Sequence, residues 1–390
     1  MRPSPFVAPS ALIGLMFMAS TLVSPLYVLY QRTFGFSDFV LTLVYSAYVV
    51  GNLLALLFFG RLSDQLGRRP AAWLAIGVAA ASTLFFLFAQ GTAWLGLARA
   101  LSGFAIGIAS GTGTAWLVDL LGAGERRRHA SLLASIANFV GLAVGALLAG
   151  CLAQFEPWPL QLSFAVYLAA LVPLAVLVAL TPETVGRRAS LRELSMRPRL
   201  GVPAGARRAF LAPAAAAFGT FAFIGFYASL APSLMKERLH MANFAVGGAV
   251  LGELFVVSAL AMIATRRLPG ARAMAWGLAL MLPTLVLLVV AAARGSLGLF
   301  VADTALVGFC AALGYRGSLE VANQLAPPER RAELASSYYI ACFVGNSIPV
   351  IGIGWLSSAW GSVAAIAIFS AVVALFALGA LVGLRLQPSY

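Results

Sequence analysis

Charge is what this chain most lacks. Aspartate, glutamate, lysine and arginine make up only 10% of its 390 residues, against about 25% in a soluble globular protein. A core of this size would have too little polar surface to stay in water. Cysteine is scarce as well. Cys151, Cys310 and Cys342 lie in or at the ends of apolar runs with no CxxC pair, so neither structural disulfides nor metal knuckles are expected. Histidine occurs only as His129 and His240, and no GxxxxGK[ST] phosphate loop is present. No metal or cofactor set emerges, and the chain does not read as an enzyme.

Hydrophobic residues are abundant instead, at 61%. A membrane-spanning helix takes about 20 apolar residues, so twelve take roughly 240, close to what this composition holds. The apolar runs are continuous and lack alternation, which selects helices over barrel strands. Breakers divide the first half into spans at 9–30, 39–60, 71–90, 94–120, 130–153 and 161–180. The second half divides at 210–234, 243–264, 273–293, 296–322, 333–356 and 361–384. Residues 11–25 have the look of a leader peptide. Only Arg2 precedes them, however, and Pro25 to Tyr30 extend the run to a full span, so it reads as a retained first helix.

The net charge is +13, which in a soluble domain would suggest nucleic acid. Here the basic residues sit in short loops and set orientation instead. With the N-terminus cytoplasmic, twenty of the 26 Arg and Lys fall on the cytoplasmic side, in both halves of the chain. Both termini are then inside. His129 and His240 fall on opposite sides of the membrane, which argues against a hydrolytic or metal centre. The longest polar stretch, Thr181 to Arg208, follows span six. It divides the chain into an N-terminal bundle (1–182), a cytoplasmic linker (183–208) and a C-terminal bundle (209–390). Ser102-Gly103-Phe104 in span four is echoed by Val307-Gly308-Phe309 in span ten. The echo reads as a parallel duplication, with chance likeness between Gly/Ala-rich helices as the alternative.

Between spans two and three stands Gly60-Arg61-Leu62-Ser63-Asp64-Gln65-Leu66-Gly67-Arg68-Arg69-Pro70. Gly60 and Gly67 permit close approach and a tight turn. Asp64 is placed to meet the basic pair Arg68 and Arg69 or a helix N-terminus. This loop resembles the signature loop of the major facilitator superfamily. Arg99-Ala100-Leu101-Ser102-Gly103, continuing to Gly107, is similar to the family's arginine-bearing fourth-span motif. Gly141, Gly145 and Gly150 resemble the antiporter branch's glycine motif, although Ala146 stands where that pattern has proline. The second-half loop, Thr265 to Arg272, keeps basic residues and has no acid. The resemblance covers essentially the whole chain and is nearest the twelve-span drug/proton antiporters. It implies an all-α membrane protein of two pseudo-symmetric six-helix bundles around a central cavity. Spans one, four, seven and ten would line that cavity, and three, six, nine and twelve would face lipid.

Charge inside a span costs roughly 2.5–3.5 kcal/mol on insertion scales, so each instance is a functional candidate. Glu253, Asp303 and Glu320 are candidates for proton coupling. Arg99 and Arg316 are candidates for a substrate's negative charge. Arg316 and Glu320, four apart on one helix face, are equally able to neutralise each other. Asp119, with Arg126 to Arg128 nearby, belongs with Gly60, Asp64, Gly67, Arg68 and Arg69 in a cytoplasmic gate. Phe223, Phe226, Tyr227 and Tyr338 suit an apolar or aromatic substrate, with plain packing as the alternative. Pro232 and Pro349 are candidate bending points.

These residues describe a monomeric secondary transporter of the bacterial inner membrane. Its partners are a small-molecule substrate, protons or another coupling ion, and the bilayer, with no nucleic acid. Proton-coupled efflux of a small amphipathic or aromatic compound is one reading, and uptake of a small organic anion or nutrient by symport is the other. A channel is disfavoured, since no re-entrant filter segment or ring of like charge is evident. The orientation has a direct check. A cysteine at Ser190, in a background free of the three native cysteines, should stay unlabelled by an impermeant thiol reagent in intact cells; labelling would overturn the topology.

Overall fold

The computed structural model describes residues 4–122, 125–186, 198, 200–327 and 330–385. Most of the 183–208 linker, including Ser190, and Arg2 lie outside the described residues, as do the side chains of Arg126 to Arg128. Among the described residues the regular elements are all helices. All twelve expected spans form. They run Val7–Phe34, Asp38–Phe59, Arg68–Leu87, Thr92–Leu121, His129–Phe155 and Leu162–Leu180, then Ala204–Ser229, Phe244–Ala264, Gly270–Arg294, Leu297–Gln324, Glu333–Trp360 and Ser362–Leu384.

Two spans differ from the sequence expectation for one reason. Span one is helical over Val7–Leu22, tightens to a 3-10 turn at Ser24–Leu26 around Pro25, and resumes as Tyr27–Phe34. Span seven was expected to reach residue 234 but stops at Ser229. The chain starts a new helix, Ala231–Arg238, with Pro232 in its first turn. Proline has no N–H to give and its ring crowds the preceding turn, so it fits a helix start and not an interior. Pro349 behaves otherwise, because the helix Arg331–Trp360 runs through it.

The chain packs as two compact units, Met1–Phe34 with Ala47–Pro198 and Gly35–Ser46 with Arg199–Tyr390. In the first unit a Cβ on Gly141 would land on the carbonyl of Gly14, and one on Gly103 would land on the carbonyl of Tyr48. In the second unit Gly345 meets Phe218 in the same way, and Gly308 meets Leu254. Each second-unit partner lies 204 to 206 residues beyond its first-unit counterpart. The echo seen at Gly103 and Gly308 is therefore a repeat of packing. Without a hydrophobic drive between helices in lipid, this backbone-to-backbone approach is what dispersion and weak Cα–H contacts require.

Large apolar side chains such as Leu180, Trp276, Val286 and Leu375 stay exposed on spans six, nine and twelve. Spans one and seven are the most buried. Gly103→Ala should cost about 1–3 kcal/mol or more, because the clash is with backbone and not a movable side chain. Gly111→Ala, with nothing within 4 Å of its Cβ, should be neutral or slightly stabilising. Monodisperse yield and unfolding temperature in detergent distinguish the two.

Candidate functional site

The loop between spans two and three folds as a short helix, Leu62–Leu66, and turns at Gly67, whose φ of 107° suits glycine. Gly60 stands just before that helix. The turn brings Arg68 back over Asp64. The Arg68 guanidinium is almost fully buried. Its Nη1 donates to Asp64 Oδ1 at 2.6 Å and to Ser63 Oγ at 2.8 Å, and its Nε donates to Asp119 Oδ2 at 2.8 Å. The expected gate group thus assembles, with Asp119 arriving from the end of span four. Arg69 donates to the Ala179 carbonyl at the end of span six.

The sequence reading missed a further member. Both oxygens of Glu183 accept backbone N–H groups at the start of span three, Arg68 at 2.9 Å and Arg69 at 3.0 Å. Thr184 and Val185 N–H groups also bind the same carboxylate. An anion at the open N–H groups of a helix start is favoured by hydrogen bonding and the helix dipole. Partial burial opposes charge on Glu183, but the four donors outweigh it and hold the carboxyl below the usual glutamate range. Thr184 Oγ1 donates to Asp119, and Trp116 Nε1 donates to the Pro182 carbonyl. The loop, span four and the exit of span six form one network.

The second unit has a differently built counterpart. Its 265–272 loop lacks an acid, and span ten supplies the charge. Arg316 Nη2 donates to the Leu268 carbonyl at 2.9 Å and lies 3.7 Å from Glu320. A Cβ on Gly270 would come within 2.8 Å of Glu320. Arg316, expected beside a substrate, and Glu320, expected as a proton carrier, are both held at this span–loop junction.

Nearer the other end of the second unit, Tyr227 of span seven donates to Asp303 Oδ2 of span ten at 2.6 Å. Both residues are fully buried. Among the described residues, nothing bonds Asp303 Oδ1. The Tyr227 ring stacks on Phe300 at 5.4 Å and meets the Phe226 and Phe223 rings edge to face. Glu253 of span eight is only partly buried. Of the expected site residues, Asp303 and Tyr227 are thus joined by a hydrogen bond. Phe223 and Phe226, expected against a substrate, are at most 1% exposed and instead wall in the Tyr227–Asp303 bond. Tyr338 is buried too, its hydroxyl 2.8 Å from Ser318 Oγ. All three rings are packed against protein in this structure.

Arg99 occupies the corresponding place in the first unit, 204 residues before Asp303. It is fully buried, donates to the Ser20 carbonyl of span one at 2.9 Å, and sits 4.8 Å from the centre of the Tyr48 ring. Tyr27 lies against the same guanidinium. A desolvated arginine over an aromatic face is a favourable arrangement. Neither tyrosine stood out in the sequence; the proximity of Tyr27 to the Pro25 break was the one available signal.

Comparison with known proteins agrees with this architecture. The family description Major Facilitator Superfamily matches residues 10–348. An uncharacterized transporter of Rickettsia felis (strain ATCC VR-1525 / URRWXCal2) is 27% identical over 153 residues, 39% of this chain and 37% of that protein. The match thus spans little more than a third of that relative. A bacterial homologue of the human lysosomal transporter Spinster, in an inward-facing and occupied conformation, superposes with a TM-score of 0.75 at 16% identity, covering 98% of this chain and 95% of that one. The human organic anion transporter MFSD10 (TETRAN) gives 0.71 at 18% identity, covering 97% and 99%. At these identities the likeness is one of fold.

Glu183→Gln keeps an acceptor and removes the charge. It should cost about 1 kcal/mol, the difference between charged and neutral hydrogen bonding. Because the folded carboxyl titrates below its unfolded value, this contribution is present above the unfolded value and disappears as pH falls through the folded one. Unfolding temperatures of parent and variant should therefore differ near neutrality and converge in acid. A gap that persists at the acid end would contradict the capping role.

Proposed function

The chain belongs to the Major Facilitator Superfamily, a transporter family and not an enzyme family, and from that premise we propose that it is a proton-coupled secondary transporter working by alternating access. The proposed moving halves are 1–182 and 209–390, joined by the linker 183–208, in a monomer of the bacterial inner membrane with both termini cytoplasmic. The Arg68–Asp64–Asp119 network and the Arg316–Leu268–Glu320 junction serve as latches of the two halves.

One observation carries the coupling assignment. Asp303 is a fully buried carboxyl with one oxygen bonded and the other unpartnered. An unpartnered carboxylate oxygen in such a place is costly and is relieved by taking up a proton. Glu253, partly open, is the second carrier, with Glu320 next in order. The proposed direction is efflux of a small amphipathic or aromatic compound. Symport of a small organic anion is the second reading, supported by the buried cation Arg99 in a span that lines the cavity in this family. Phe223, Phe226, Tyr227 and Tyr338 act from behind the cavity wall and not on it.

Glu253→Gln and Asp303→Asn, reconstituted in proteoliposomes with an imposed pH gradient, test the assignment. Gradient-driven transport should fall by about tenfold or more in each, the scale of removing a positioned proton-transfer group. In a symporter, exchange of substrate without a gradient should survive. In an antiporter the permanently neutral side chain should weaken substrate affinity. Driven transport at the parent rate in both variants would remove these carboxyls from the mechanism.

A further inference from the structure

Asp303 is fully enclosed, with one carboxyl oxygen bonded to Tyr227 and the other unpartnered among the described residues. Spans eight and ten are keyed together at Gly308, which packs on Leu254 and whose carbonyl accepts from Ser258 Oγ at 2.8 Å. The two spans run in the same direction. Glu253 lies one residue before Leu254 and Asp303 five before Gly308, so their Cα positions differ by about 6 Å in height at 1.5 Å per residue. Tyr227 is bonded to Asp303. Its ring is packed by Phe300, Phe223 and Phe226. Cys310, on the same helix, is the other titratable group that Asp303 acts on.

We propose that Tyr227 is the positioning residue of the coupling site. It holds Asp303 by Oδ2 and leaves Oδ1 as the atom that takes the proton. This rests on the proton-coupled reading above and adds a residue to it.

Tyr227→Phe tests it, because the ring and its packing remain and only the hydroxyl goes. Substrate exchange without a gradient should stay near the parent rate. Gradient-driven transport should fall by about tenfold, in line with losing a hydrogen bond to a charged group. Combining it with Asp303→Asn separates positioning from mere structure. If Tyr227 acts through Asp303, the double variant is no worse than Asp303→Asn alone, whereas independent effects multiply. If Tyr227→Phe does not fold, 3-fluorotyrosine at position 227 keeps the ring and hydroxyl while changing the phenol's acidity. The pH profile of driven transport should then shift, and an unmoved profile would overturn the proposal. Driven transport at the parent rate in Tyr227→Phe, or multiplied losses in the double variant, would overturn it as well. Should Asp303→Asn and Glu253→Gln fail to drive transport while Tyr227→Phe succeeds, only the role of Tyr227 falls. Should all three drive normally, the proton-coupled reading itself falls.

Discussion

In hydrocarbon no water answers a peptide group, so each backbone N–H and C=O within the bilayer has to find its partner inside the protein. A helix satisfies this within one segment, which is why the apolar runs of this chain become helices and nothing else. The same constraint governs how the helices meet. With backbone groups already paired and no hydrophobic gain in lipid, helices hold together by approaching closely. The carbonyls of Gly14, Tyr48, Phe218 and Leu254 sit where a side chain on Gly141, Gly103, Gly345 or Gly308 would be. It also makes any polar side chain conspicuous. Most hydroxyls return to their own helix, as Thr304 does to Phe300 and Ser229 to Gly225. Arg99 and Asp303 do not, and each reaches across to a neighbouring span.

The two units repeat a geometry and fill it with opposite chemistry. At one pair of equivalent places stands a cation held by a carbonyl and tyrosine rings; at the other stands an anion held by a tyrosine hydroxyl. The two span–loop junctions diverge in the same manner. The first places its arginine on the loop and an acid on the span, while the second places its arginine on the span and a carbonyl on the loop. A duplicated scaffold has thus kept its close contacts and changed its charges. Of these two groups only the acid has a neutral form within reach, since arginine stays charged.

The twelve spans were legible because the bilayer imposes length and composition on each helix, whereas Pro232 read as a bend inside span seven and instead opens a new helix. The contacts within the loop between spans two and three were legible because its members lie within eleven consecutive residues. Glu183 was not, since it caps a helix that begins 115 residues earlier, and no local spacing marks such a partnership. The aromatic residues of span seven illustrate a different loss. Their number in a lining helix pointed to a substrate, but sequence does not say which face of that helix turns to its neighbours, and Phe223 and Phe226 turned inward. Arg316 and Glu320 were correctly paired by their four-residue spacing, while the loop carbonyl that anchors them belongs to a segment 48 residues away.

The capping of span three by Glu183 bears on how such a protein is cut and rejoined. Composition suggests a seam after Pro182, where the apolar run ends. A recombinant built by exchanging halves at that seam would carry the first half's Arg68 and Asp119 but inherit its anion and hydroxyl from another parent. Crossing over beyond Val185 keeps the network with the helices it serves, so the inheritable first module of this chain ends a few residues later than its hydrophobicity does.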